Sequence, residues 1–278
     1  MRVHLYDCDK TRFPNLALLK LSAWHKVRGD DVIWNAPLFG GDLNYSSRVF
    51  TWSEKPPPGD YNMGGWVDSP KTLPDEIEHT CPDYEGMDYS LGFLSRGCIR
   101  KCSFCIVPEK EGEISPHSKP QEFIRHREVL LMDNNWLASP RWEVDWKYLQ
   151  SNGHKVDFNQ GLDSRLIDRS VAERLTALRW VRFIRMACDS QFRKEPLSKA
   201  VHLLRSSGYT GGIFIYILIK DSIEDALDRV EFCRSLDLQP FAQPYADNEG
   251  NTKPEARRLA RWCNHKAIFN TVAWEDYI

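Results

Sequence analysis

At 278 residues, 42% hydrophobic and 27% charged, the chain has the composition of a globular protein long enough to bury a core. Its 37 basic and 39 acidic residues give a formal charge of −2. That balance excludes a chain-wide nucleic-acid footprint and leaves only room for a local basic groove. No apolar run approaches the roughly 20 residues of a membrane span. The opening MRVHLYDCDK lacks the apolar core of a signal peptide, so the eight cysteines are expected to be cytoplasmic thiols or ligands rather than disulfides.

RVHLY (2–6) reads as a strand, and residues 14–31 as a helix with Leu16, Leu19, Ala23 and Val27 on one face and Gly29 as its stop. DVIW (31–34) is the next strand, which makes the start a small βαβ, Rossmann-like segment. From 53 to 86 the text turns loop-like (EKPPPGD, NMGGW, CPDYEG), placing a boundary near residue 85. Strand-like runs then recur at 89–95, 128–133, 155–159, 180–187, 212–219 and 239–243, with amphipathic helical stretches such as 165–179 and 222–236 between them. Six strands alternating with helices predict parallel βα units, either a partial barrel or a doubly wound sheet. The organisation expected is 1–85, 86–250 and a tail over 251–278. The basic, aromatic stretch 255–269 is expected to be a helix closing the bottom of the second unit, with an RNA contact as the alternative.

The stretch GCIRKCSFC sets Cys98, Cys102 and Cys105 within eight positions, directly after the first strand of the rhythm. In parallel α/β folds that is the end where ligands sit. Three thiolates leave one coordination position open. One reading is a zinc site completed by a residue such as His117, although closed zinc sites usually pair their cysteines in two hooks and there is no second hook here. The other is a [4Fe–4S] cluster with one open iron, which suits a lone triplet.

C-x3-C-x2-C with Phe104 before its last cysteine, after a strand ending LSRG, resembles the radical S-adenosylmethionine (SAM) enzymes. The resemblance covers about residues 86–250 and implies a partial (β/α)6 TIM-like barrel. It implies a [4Fe–4S] cluster on Cys98, Cys102 and Cys105 whose open iron chelates the methionyl amine and carboxylate of SAM. One electron, from an external flavodoxin- or ferredoxin-type reductant, would then yield methionine and a 5′-deoxyadenosyl radical that abstracts hydrogen from a substrate. Phe104 would lie near the adenine. MDNN (132–135) stands where the family carries Gly-Gly-Glu, so Asp133, Asn134 or Asn135 would meet the SAM ammonium. The third strand end offers Asn159, Gln160, Asp163 and Arg165, the fourth Asp189 and Ser190, and the sixth region Gln243, for the ribose and carboxylate. Each of these polar residues also has a plain reading as a cap or turn former.

Arg100 and Lys101, between the first two cysteines, are cations that could offset a negative cluster or stand solvated. Cys188 falls at the mouth. Cys233 and Cys263 read as small core residues, and Cys8 and Cys81 are too few for a second cluster. The βαβ start resembles a reduced form of the domain that precedes the barrel in cobalamin-dependent radical SAM enzymes and in methylthiotransferases. The lower-axial D-x-H-x-x-G pattern is missing: His25 and Gly29 have the wrong spacing, inside a helix, so cobalamin held by a histidine is not expected. Two alternatives stay open: a methylthiotransferase-like RNA-modifying enzyme, and a zinc-dependent protein binding nucleic acid through its Arg and Trp surfaces.

Overall fold

The computed structural model describes residues 1–36, 41–68, 72–247 and 249–277. β1 (Arg2–Asp7) buries Val3 and Leu5 completely. α1 (Leu16–Val27) starts at Asn15, whose side chain accepts from the Leu18 amide, and is followed by Gly29 at φ +78°. β2 (Asp31–Trp34) lies parallel to β1 with Val3 opposite Val32, so the expected βαβ unit is present. β3 (Leu43–Ser47) and β4 (Asn62–Gly64) extend it to a parallel sheet of order β2-β1-β3-β4. β4 lies inside the stretch that reads as loop, because Asn62, Met63 and Gly64 pair through their backbones without an apolar alternation. The short helices α2 (Gly65–Asp68) and α3 (Asp75–Glu78) follow.

The face expected for α1 needs correction. Val27 is 86% exposed, and burial falls on Leu16, Leu18, Leu19, Leu21, Ser22 and His25. The helix is covered on two sides: Leu18 and Leu21 pack with Val3, Leu5 and Ile77, whereas Leu16 and Leu19 pack with Leu91 of the next strand row. A helix buried on two sides shows no single apolar stripe.

That row starts at β5 (Tyr89–Gly92). The expected strand 89–95 divides there, since Ser95–Arg96 form β6, antiparallel to β7 (Ser115–Pro116). Between β6 and β7 lies the cysteine loop with the one-turn α4 (Val107–Lys110). The chain continues through α5 (Pro120–Phe123), β8 (Glu128–Leu131), α6 (Trp142–Ser151), β9 (Lys155–Phe158), α7 (Arg169–Thr176), β10 (Arg179–Trp180) and β11 (Phe183–Ala187). Then come α8 (Lys194–Ser206), β12 (Gly212–Ile219), α9 (Ile223–Ser235) and β13 (Gln239–Pro244). β5, β8, β9 and β10 form one parallel sheet in sequence order, and β11, β12 and β13 another. The Leu162 amide donates to the Arg185 carbonyl at 2.8 Å, so β11 succeeds β9 in the row.

β12 shows how the row is packed. Ile213, Ile215, Ile217 and Ile219 are buried against the helices, in one cluster with Leu204, Val230 and Leu259, while Phe214, Tyr216 and Leu218 line the other, half-open face. On that face the rings of Phe183 and Phe214 stack at 4.8 Å. Arg185 forms a two-pronged pair with Asp157 (2.6 and 2.7 Å) and donates to the Tyr216 hydroxyl.

The tail forms α10 (Pro254–Asn264) and α11 (Lys266–Thr271). Ala256, Leu259, Trp262 and Cys263 enter the core, and the Asn264 amide both accepts from Ala242 N (2.8 Å) and donates to Ala242 O (2.9 Å). That side chain occupies the free backbone groups on the outer edge of β13, where an open strand would invite pairing with another chain. The tail thus acts as a closing element. Among the described residues no helix is long and apolar enough to cross a membrane.

Candidate metal centre

The neck of the cysteine loop is braced from several sides. Arg96 of β6 donates to both Glu111 oxygens (2.7 and 3.0 Å), and Cys98 N donates to Gly112 O (3.2 Å). Gly97 stands at φ +84°, where a Cβ would run into the Glu113 carbonyl, so only glycine fits that crossing. Arg96 also reaches Glu78 of α3 (3.0 Å), and the same Glu78 oxygen takes Lys20 of α1 (2.8 Å) and His117 Nε2 (2.9 Å). These partners hold the Glu78 carboxyl down at about 2 despite burial. The N-terminal helix is thereby tied to the base of the loop.

Polar residues after the next strands approach the loop in turn. Behind β8, Asp133 is 1% exposed and accepts from Leu94 N (3.1 Å), Ser95 N (2.6 Å) and Ser95 Oγ (2.6 Å). Burial pushes its carboxyl up to about 7 against the pull of those donors. Asp133 thus faces the backbone that leads into the loop. Asn134 Oδ1 accepts from Gly97 N (3.0 Å). Asn135, 3% exposed, donates from Nδ2 to Cys98 Sγ (3.3 Å), and its Oδ1 is buried without a partner.

Behind β9, Asp163 is the hub. It pairs with Arg165 (2.7 and 2.9 Å), Arg100 of the cysteine loop (2.9 Å) and Arg193 behind β11 (3.5 Å). Arg193 Nη2 lies 3.9 Å from Cys102 Sγ. Arg165 is therefore engaged with its neighbour, and Arg100 is ion-paired rather than solvated. Lys101 is exposed. Asn159 uses its carbonyl to accept from Tyr216 Oη (2.9 Å), while Gln160 and Gln243 are exposed. Asp189 Oδ1 accepts from Leu218 N (2.9 Å), joining the ends of β11 and β12, and burial raises its carboxyl. Phe104 is half-buried between Cys102 and the exposed Cys105. Burial raises the Cys105 thiol, with lesser contributions from Cys98, Cys102 and Asp189.

Thus Asn135, Asp163 and Arg193 meet the cysteine loop, whereas Gln160 and Gln243 stay apart. Asp163 works as a clamp rather than as a ligand-facing group. Arg193 is missed by sequence reasoning, and its one signal is a cation three positions past Ser190, the polar end of a strand. Cys188 and Cys233 are fully buried, and Cys263 is 3% exposed.

Among the described residues no group of three or more His, Cys, Asp or Glu side chains is drawn tightly enough to hold one metal ion. His117, the fourth ligand of the zinc alternative, is turned to Glu78. A four-iron cluster takes each thiolate on a separate iron and so asks less convergence of its loop. The donor set fits that group: three thiols, with an amide N–H and a guanidinium directed at two of the sulfurs. Neither a model of a known protein family nor a curated protein sequence matches the chain.

The Asp163 clamp gives a pH expectation. Its carboxyl lies at about 2, below the ordinary aspartate value near 4, and its side chain is 6% exposed. A depressed acid stabilises the fold above its unfolded value and loses that contribution as pH falls toward its folded value, here from about 4 to about 2. The contribution is on the order of 2 kcal/mol. Acid titration of Asp163→Asn, followed by circular dichroism, should show a weaker loss of stability over that interval than wild type.

Proposed function

We propose that the chain is a radical SAM enzyme, with a [4Fe–4S] cluster on Cys98, Cys102 and Cys105. In this reading the consecutive strands β5, β8, β9, β11, β12 and β13 make a partial (β/α)6 barrel whose open side is covered by α1 and its sheet. One observation carries the proposal: a C-x3-C-x2-C loop follows the first strand of a sequential parallel row, and side chains behind the second and fourth strands of that row reach its sulfurs. Ligand sites in parallel α/β folds form at this end from successive strand loops.

When bound, the cluster supplies the single electron for reductive cleavage of SAM, the hard part of the chemistry. The chain's own residues hold and orient. Asn135 steadies Cys98 through Nδ2 and offers its unpartnered, buried Oδ1 as an acceptor for the SAM ammonium. Arg193 sets positive charge against Cys102, itself positioned by Asp163. Tyr216, Leu218 and Phe241 line the half-open face of the row beside the Arg185–Asp157 pair, so this face offers a ligand both aromatic surface and fixed charge.

Metal content separates this from the zinc reading. Protein purified and reconstituted without oxygen should be brown and carry about four irons and four sulfides per chain. A colourless protein with one zinc would discard the proposal.

A further inference from the structure

The inner face of the strand row is closed over its first two strands and half-open over the rest. Leu16 and Leu19 of α1 pack on Leu91 of β5, with Leu130 of β8 in the same cluster. Leu130 pairs with Asp157 in register, Asp157 holds Arg185, and Arg185 pairs with Phe214, so the face continues to β12. There Phe183, Phe214, Tyr216 and Phe241 stay half-buried, and their rings follow one another. The centroids lie 4.8 Å apart from Phe183 to Phe214, 5.3 Å on to Phe241 and 6.2 Å from there to Tyr216. Aromatic surface left open among polar groups is the make-up of a ligand site. Its upper end is the cysteine-loop end of the row, where Leu218 N donates to Asp189.

Charges on this face cancel. Strand alternation and the residues that end the strands place Glu128, Asp157 and Asp189 on it, against Lys155, Arg185 and Lys220. Lys155 pairs with Glu128 (2.9 Å), and Arg185 takes both Asp157 oxygens. At the upper end Asp189 accepts from an amide, and Lys220 lies over the Tyr245 ring (5.6 Å). The surplus cations above, Arg100, Arg165 and Arg193, are gathered on Asp163 beside the cysteine loop. What stays free is neutral. The carboxamides of Asn159, beside Tyr216, and Gln243, beside Leu218, have no hydrogen-bond partner among the described residues. Beside the rings themselves an ionic ligand would meet no unpaired counter-ion, and a charge buried without one is costly.

We propose that this face takes the reacting part of the substrate, and that this part is an uncharged planar heterocycle with hydrogen-bonding groups at its edge. The proposal rests on the radical SAM reading above and names the substrate class of that same site. The ring stacks on the surface of Phe241 and Tyr216. Gln243 and Asn159, each with a donor and an acceptor to offer, bond its edge. An anion fits less well because Asp157 already occupies Arg185, and a cation because Arg185 already occupies Asp157.

The probes are three molecules that share one ring: nicotinamide, which is neutral, nicotinate, an anion, and 1-methylnicotinamide, a cation. Ligand-observed nuclear magnetic resonance with the full-length, metal-free chain should show nicotinamide binding at least fivefold more tightly than the other two. Phe241→Ala should weaken it at least fivefold. Gln243→Ala, which alters an exposed side chain and leaves folding alone, should weaken it too. Asp157→Asn frees the Arg185 guanidinium and should invert the order, so that nicotinate binds more tightly than nicotinamide. Preference of the wild type for either ion, or saturation by none of the three, would overturn the substrate class. Nicotinamide binding that neither Phe241→Ala nor Gln243→Ala weakens would overturn its place on this face. Iron uptake is measured on the same chain after anaerobic reconstitution. Nicotinamide binding by a chain that takes up no iron would overturn the radical SAM reading, and with it the assignment of this ligand class as a substrate.

Discussion

Replacing Cys102 with alanine should lower iron uptake from about four atoms per chain to near zero, with folding left intact. The three thiols come from one loop, and no fourth cysteine lies within it. A cluster deprived of one of only three protein ligands has two attachment points left, and His117, the candidate substitute, is committed to Glu78. The fold should survive because Cys102 is half-exposed and the loop's neck is held by Arg96, Glu111 and Gly97 rather than by the sulfurs. Iron analysis with far-ultraviolet circular dichroism on the same sample reads both halves of the expectation. Wild-type iron content in Cys102→Ala would remove this cysteine from the centre.

Asp133→Ala should have the largest effect on stability of any single change at the site, about 3 kcal/mol, and should loosen the loop. The carboxylate is the shared acceptor for two backbone amides and one hydroxyl in a place closed to water. Each buried donor left without an acceptor costs about 1 to 3 kcal/mol, and water entering the small void recovers part of that. Arg141 still holds the Leu94 carbonyl (2.9 Å), so the turn should detach from one side only. Urea unfolding should show the loss, and hydrogen exchange at Leu94 and Ser95 should quicken. Asp133→Asn, which keeps one acceptor oxygen, should fall between. Unchanged exchange at those amides in Asp133→Ala would mean that the carboxylate does not anchor the loop.

How far the molecule could be read from its sequence depends on how local each cause is. GIFIYILI gives β12 over the expected 212–219, because seven consecutive apolar and aromatic residues follow a glycine. The βαβ start is legible for the same reason. β3 and β4 are not, since their pairing uses backbone groups in text rich in Gly and Pro. The face of α1 is misread because two different cores claim it.

At the site, the cysteine spacing lies within eight residues and can be read directly. The groups that support it cannot. Arg193 meets Cys102 across 91 residues and Arg100 meets Asp163 across 63, and no local pattern announces such a meeting. Asp133 shows the opposite difficulty. Its position after a strand suggested a ligand-facing group, yet its neighbours in space are the amides of the loop's own entrance.

The open iron implied by three ligands can be tested in one assay. Reconstituted wild-type protein, reduced with dithionite without oxygen, is incubated with SAM, and the products are measured by mass spectrometry. Methionine and 5′-deoxyadenosine are expected in equal amounts, slowly if the true substrate is absent, and neither from Cys102→Ala. A wild-type protein that carries its four irons, yet neither changes its spectrum on adding SAM nor releases either product, would contradict the assignment of an open, SAM-binding cluster to this loop.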